Sequence, residues 1–254
     1  RVGTTITSGY GEGATLDQAI FTDDDGSTIG MAASLIVEHS MECGVTSLQN
    51  TILKIQNFKF EDNKSYPTAR MMVEMAILDG FAKSRAVSVK KMFGVPDSIN
   101  SVPYGKSIGQ GDVLSTVKVC LEAKSEGAKK IKLKVSPDTT NDVLEIINML
   151  RTSGGFEIMV DANGTFDPEN DQHMDFLRKL DSCGLLMIEE PCSRVGNLKG
   201  IKSVELMRSK HNFKTPICLD DCLNSKEITL YAINSNLADI VNIKPGRIGS
   251  ILAS

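Results

Sequence analysis

The sequence has no basic stripe, no second pair of closely spaced cysteines, no membrane-length hydrophobic run and no glycine-rich phosphate loop. Each absence removes a class of function. Of 254 residues 24% are charged, the net charge is -4, and the lysines are dispersed apart from one short run. That distribution does not suit a polyanion, so no nucleic-acid partner is expected. Cys43, Cys120, Cys183, Cys192, Cys218 and Cys222 lack the tight framework of a small secreted domain, which points to reduced thiols and a cytoplasmic protein. Cys218 and Cys222 would need a matching pair to hold zinc, and His39, His173 and His211 lie at unrelated spacings. The opening "RVGTTITSGYGEG" does not read as a signal peptide, and no apolar run approaches the ~20 residues of a membrane helix, so no membrane partner is expected. What is there, 41% hydrophobic residues, can build one large domain or two smaller ones around a small-molecule site.

From about residue 101 a rhythm repeats: a short apolar strand, a few turn residues, a helical stretch, then another strand. The strands read as "SVPYGKSIG", "KKIKLKV", "FEIMVDAN", "GLLMIEEP", "TPICLDD" and "ADIVNIKP". Between them, segments such as "GDVLSTVKVCLEAKSEGA", "TNDVLEIINMLRTSGG" and "DQHMDFLRKLDSCG" carry apolar residues at helical spacing. Successive strand-helix units imply a parallel sheet. No dinucleotide-type glycine loop follows any strand, which weakens an open doubly wound sheet. A charged residue at the C-terminal end of strand after strand is instead the layout of an α/β barrel enzyme. Before residue 100 the pattern changes: "DDDGSTIGMAASLIVEHSMECG" and "TARMMVEMAILDGFAKSRAVSVKKMFG" read as helices, the second stopped by Gly94 and Pro96.

In "KKIKLKV" strand alternation puts Lys132 and Lys134 on one face and Ile131, Leu133 and Val135 on the other. The same alternation sets Asp161 and Asn163, then Glu189, then Asp220, then Asn242 and Lys244, toward one lumen, with Glu190 and Asp221 facing away. Separations of 27 (134 to 161), 28 (161 to 189), 31 (189 to 220) and 24 residues (220 to 244) are each about one strand-helix unit. The residues are therefore expected at similar height around one ring. Three converging carboxylates cannot all stay ionised without a cation, and oxygen-only ligands suit Mg²⁺ first and Mn²⁺ second. The lysines are then tolerable, and useful: a nearby divalent ion and ammonium favour the neutral amine, and a base near neutral pH needs a pKa of ~7–8 rather than ~10.4. Lys134 and Lys244 are expected across the lumen from one another, one removing a proton next to a carboxylate while the metal holds the enediolate. The competing readings are solvated strand-end charges, an edge strand protected by Lys132 and Lys134, and a Schiff-base role for Lys244.

"IKLKV", "VDANGTF", "MIEEP", "CLDD" and "NIKPGRIG", in that order, resemble the muconate-lactonising subgroup of the enolase superfamily, the tail being most similar to the o-succinylbenzoate synthase and N-acylamino acid racemase branch. "YGEG" and "ARMMVEMAILDGFAK" extend the resemblance toward the N-terminus. It implies an α/β fold: a partial α+β capping domain over residues 1–97 and an enolase-type (β/α) barrel over 98–254, incomplete here and comprising strands one to six. Strands seven and eight and the N-terminal cap loop would lie outside this chain. It also implies Lys134 and Lys244 as the acid/base pair, Lys132 as an electrostatic helper, Asp161, Glu189 and Asp220 as Mg²⁺ ligands, and Ser107 in the substrate pocket; Asn163 and Asn242, directed to the lumen by alternation, are expected to bind substrate beside it. Asp221 stands where the family usually has Glu. The activity implied is abstraction of the proton α to a carboxylate in a small-molecule substrate, as in o-succinylbenzoate synthase of menaquinone biosynthesis, with N-acylamino acid racemisation beside it. A dipeptide epimerase, a muconate-type cycloisomerase and a non-catalytic binding protein on the same fold are the alternatives, and a homo-oligomer is left open.

Overall fold

The computed structural model describes residues 8–19, 22–42, 47–153, 155–192 and 198–253. In chain order the elements are α1 (Ile29–Glu42), α2 (Leu48–Asn57), α3 (Pro67–Ser84), α4 (Val89–Met92), β1 (Gly105–Ile108), α5 (Val113–Ser125), β2 (Lys130–Lys134), α6 (Thr140–Thr152), β3 (Glu157–Asp161), α7 (Asp171–Asp181), β4 (Ile188–Glu189), α8 (Leu198–Lys210), β5 (Ile217–Leu219), α9 (Lys226–Asn234), β6 (Ile240–Val241) and α10 (Pro245–Ile248). They form two compact units, residues 101–242 and residues 1–100 with 243–254.

In the unit of residues 101–242 the sheet is parallel throughout, and its strands lie in the order β1-β2-β3-β4-β5-β6. A doubly wound sheet reverses its strand order part-way; this one does not, which is how a barrel is wound. In β2 the alternation is as the sequence predicts: Ile131 and Leu133 are buried and Lys130, Lys132 and Lys134 half-buried. One apolar core joins Ile131, Leu133, Ile158, Val160, Ile188, Ile217 and Leu219 of the strands to Cys120 of α5, Ile147 and Leu150 of α6, Leu177 of α7 and Val204 of α8. Caps fix the helix starts: Asp112 accepts from the Ser115 amide, Asn170 from Gln172 and His173, and Ser225 from Ile228.

The other unit is built around α3. Its described regular elements are helices, and the strand content expected of 1–97 is not among them. Gly9 and Gly11 of "YGEG" lie against α3 so closely that a Cβ would come within 1.9 Å of the Ala76 carbonyl oxygen and 2.0 Å of that of Met72. Alternate glycines therefore let an extended segment lie flat on the helix. The second expected helix divides into α3 and α4 at Ala86, which takes φ 52° without any glycine or proline to announce it. Helix α2 was not anticipated; its signals are the Ser47 cap, accepting from Asn50, and the buried row Thr51, Ile52 and Ile55. Arg70 is 8% exposed and donates to the carbonyls of Ser65, Ile55, Gln56 and Phe58, closing the end of α2.

Helix α3 also grips the segment that carries Lys244. Glu74, fully buried, accepts from the amides of Ile251 (2.9 Å) and Leu252 (3.0 Å) and from Gln56 Nε2 (3.0 Å). Gln56 also donates to the Gly249 carbonyl at 2.8 Å, and Thr68 Oγ1 to that of Gly246 at 3.1 Å. Glu74→Ala leaves those donors without their acceptor, at a cost of about 3 kcal/mol. The expected result is a lower urea midpoint together with lost hydrogen-exchange protection at Ile251 and Leu252; unchanged protection there would refute the assignment.

Candidate active site

The register of the sheet places Lys134 opposite Asp161 and Asp161 opposite Glu189, one row at the C-terminal ends of β2, β3 and β4. Asp161 and Glu189 are each 2% exposed. Two carboxylates so placed need a cation, and Lys132 supplies one: its Nζ lies 3.1 Å from both oxygens of Glu189 and 3.2 Å from Asp161 Oδ2. Burial works against that ammonium, but Glu189 and Asp161 outweigh it and hold the Lys132 pKa above its ordinary value. Lys134 Nζ donates to Asp161 Oδ2 and to Asn163 Oδ1, both at 2.7 Å. Asn163, in the left-handed region at φ 46°, also returns its amide to Asp161 Oδ1 at 3.0 Å. Asn has a several-fold preference for that conformation, which turns the chain back over the strand end.

Three of the remaining candidates, Asp220, Ser107 and Asn242, lie in the same unit as this row. Beyond Glu189 the row continues to Cys218 and Ile240, so Asp220 stands one two-residue step past it. An eight-stranded barrel of shear 8 advances its register by about one residue per strand. Over the two strands from Asp161 to Asp220 that makes a two-residue step, which equal sequence spacing alone does not show. Ser107 pairs with Lys132 and is exposed. Asn242 follows β6 and donates its amide to the Leu219 carbonyl. Lys244 belongs to the other compact unit, where it immediately precedes α10.

Glu190 and Asp221 are buried, as their opposite phase predicts. What the sequence does not show is where the Glu190 carboxylate goes: it accepts from the Asp220 amide at 2.6 Å and the Cys222 amide at 3.1 Å. Burial pushes its pKa up to about 7, the hydrogen bonds from the Asp220 amide and the Cys222 side chain opposing and Asp221 and Asp220 adding. Burial likewise drives the Cys218 thiol up to about 12, which keeps it neutral in the core.

Residues 116–254 match the enolase C-terminal domain-like family. The chain belongs to the enolase superfamily. It is 32% identical over 195 residues to the N-succinylamino acid racemase of Amycolatopsis sp, covering 74% of this chain and 48% of that protein. It is 29% identical over 184 residues to the o-succinylbenzoate synthase of Bacillus subtilis, covering 72% and 46%. Among solved structures it superposes on a dipeptide epimerase of Enterococcus faecalis, complexed with Mg and the dipeptide L-Leu-L-Tyr, with a TM-score of 0.77 at 17% identity, over 96% of this chain and 65% of that one. The chain thus spans about half the length of the curated relatives it matches.

Enolase-superfamily sites pair a lysine or histidine base with Mg²⁺, so the residues present can be tested for fit. Among the described residues no three His, Cys, Asp or Glu side chains are gathered at ligating distance. The donor set nevertheless suits the ion: Asp161, Glu189 and Asp220, at most 5% exposed, supply only oxygens at the ends of three adjacent strands. The Lys132 ammonium, shared between two of them, marks where positive charge is required. Among the described residues no helix is long and apolar enough to cross a membrane.

Proposed function

We propose that this protein removes the proton α to a carboxylate in a small-molecule substrate, in the manner of o-succinylbenzoate synthase. The observation that carries the reading is Lys134 Nζ, held by Asp161 and Asn163 beside a buried carboxylate pair that needs a cation. Mg²⁺ bound by Asp161, Glu189 and Asp220 would draw the developing negative charge into the substrate carboxylate. Lys134 takes the proton in its neutral form, with Asp161 and Asn163 fixing the direction of approach. Lys132 adds positive charge beside the same carboxylates. By the family resemblance Lys244 would stabilise charge on the opposite face of the substrate, and Ser107 and Asn242 would line the pocket. In the synthase reaction loss of water then follows proton removal and yields the aromatic product.

Racemisation of an N-acylamino acid is a second reading, favoured by the 32% identity to the Amycolatopsis racemase. It differs only in the fate of the carbanion: Lys244 returns a proton to the other face. Dipeptide epimerisation and muconate-type cycloisomerisation share the same first step.

The test is α-proton exchange in D₂O with N-succinylamino acids and with the synthase substrate, with Mg²⁺ or with EDTA. Exchange that requires Mg²⁺ is the expected outcome, and product analysis then separates synthase from racemase. A protein that binds Mg²⁺ yet exchanges neither substrate acts on another substrate class or is a binding protein on this fold.

A further inference from the structure

By strand alternation Glu190 is expected to face away from the lumen, and it is tied to the ends of three strands. Its amide donates to the Cys218 carbonyl of β5 at 2.8 Å, and its carbonyl accepts from Gly164, just beyond β3, at 2.7 Å. Its carboxylate accepts from Asp220 and Cys222, on either side of Asp221. It is 1% exposed and takes φ 41°, a left-handed conformation that a long side chain rarely adopts. A charge-bearing group in a strained backbone, bonded to main-chain amides rather than to a counter-ion, fixes the course of the chain around it.

We propose that Glu190 is the positioning residue of the carboxylate set: it locks the Asp220 turn against the strand that carries Glu189 and so sets the metal affinity of the site. The proposal rests on the metal reading above. Its physical content is the acceptor count. A carboxylate offers an oxygen to each amide, whereas a glutamine of the same shape has one oxygen and one NH₂, which meets an N–H donor with another donor. Glu190→Gln therefore preserves volume but releases one side of the Asp220 turn.

The experiment is titration with Mn²⁺, free ion being read by electron paramagnetic resonance, on the parent, Glu190→Gln and Asp161→Asn, with urea unfolding in EDTA alongside. The parent should bind, Asp161→Asn should bind far more weakly, and Glu190→Gln should lose about 10–100-fold in affinity while still folded. Parent-like affinity in Glu190→Gln, with Asp161→Asn impaired, overturns the proposal and leaves the metal reading standing. A parent that binds no Mn²⁺ overturns both. Should Glu190→Gln fail to fold, hydrogen exchange on the unaltered protein decides: amides of Asp220 and Cys222 as protected as those of β5 support the clamp, and freely exchanging ones refute it.

Discussion

Lys134→Ala is expected to lower the rate of α-proton exchange by about 10²–10⁴-fold, the range that a positioned base contributes. The expected loss is large because the side chain is closely oriented. Two 2.7 Å hydrogen bonds, to Asp161 and Asn163, fix Nζ at the strand end, and the backbone turn at Asn163 fixes the second of those acceptors. Truncation removes the amine and leaves the acceptors. Stability should change far less, since the Lys134 side chain is 32% exposed and Asp161 keeps Lys132 at 3.2 Å. Asn163→Ala is the graded companion: it loosens one of the two holds and should slow exchange more mildly. Exchange at a rate within tenfold of the parent in Lys134→Ala would remove this lysine from the chemistry and shift the role of base to Lys244.

The parts legible in the sequence are those where a one-dimensional period maps directly onto a face. Alternation in "KIKLK" works because a helix-covered strand face must be apolar, so the lysines can only point the other way. The strand-helix rhythm fixed the number and order of the strands, because each unit must bury its own apolar face on the next. Equal height around the ring was a weaker inference: Asp220 stands one step beyond the row of Lys134, Asp161 and Glu189, a displacement carried by the stagger between strands. Partners far apart in the chain were not legible. Nothing in "EEP" says that Glu190 will meet amides 30 and 32 residues later. Nor does the helical pattern around Glu74 say that it will grip a segment 177 residues away. Backbone amides carry no side-chain label, so a carboxylate that binds them looks from sequence like any solvated acid. The break at Ala86 is of the same kind, a left-handed residue whose identity gives no warning.

Lys132→Met should destabilise the metal-free protein by about 3–5 kcal/mol, the usual cost of leaving a buried charge without its partner. Both Glu189 oxygens accept from Lys132 at 3.1 Å, and that carboxylate is 2% exposed, so water cannot take over. Methionine keeps the aliphatic stem and removes only the charge, which separates electrostatics from packing. In a domain-sized protein each kcal/mol moves the midpoint by about 2–4 °C, so thermal unfolding in EDTA resolves the effect. Two further outcomes belong to the same cause. Because the folded-state pKa of Lys132 is raised, its stabilisation is fully present below the unfolded value near 10.4 and is lost as pH rises through the higher folded value. The parent should therefore lose stability in that alkaline window and the variant should not. Millimolar Mg²⁺ should restore more stability to the variant than to the parent, since the ion then meets carboxylates with no ammonium between them. A variant as stable as the parent in EDTA would refute the role assigned to Lys132 as the counter-charge of the buried carboxylate pair.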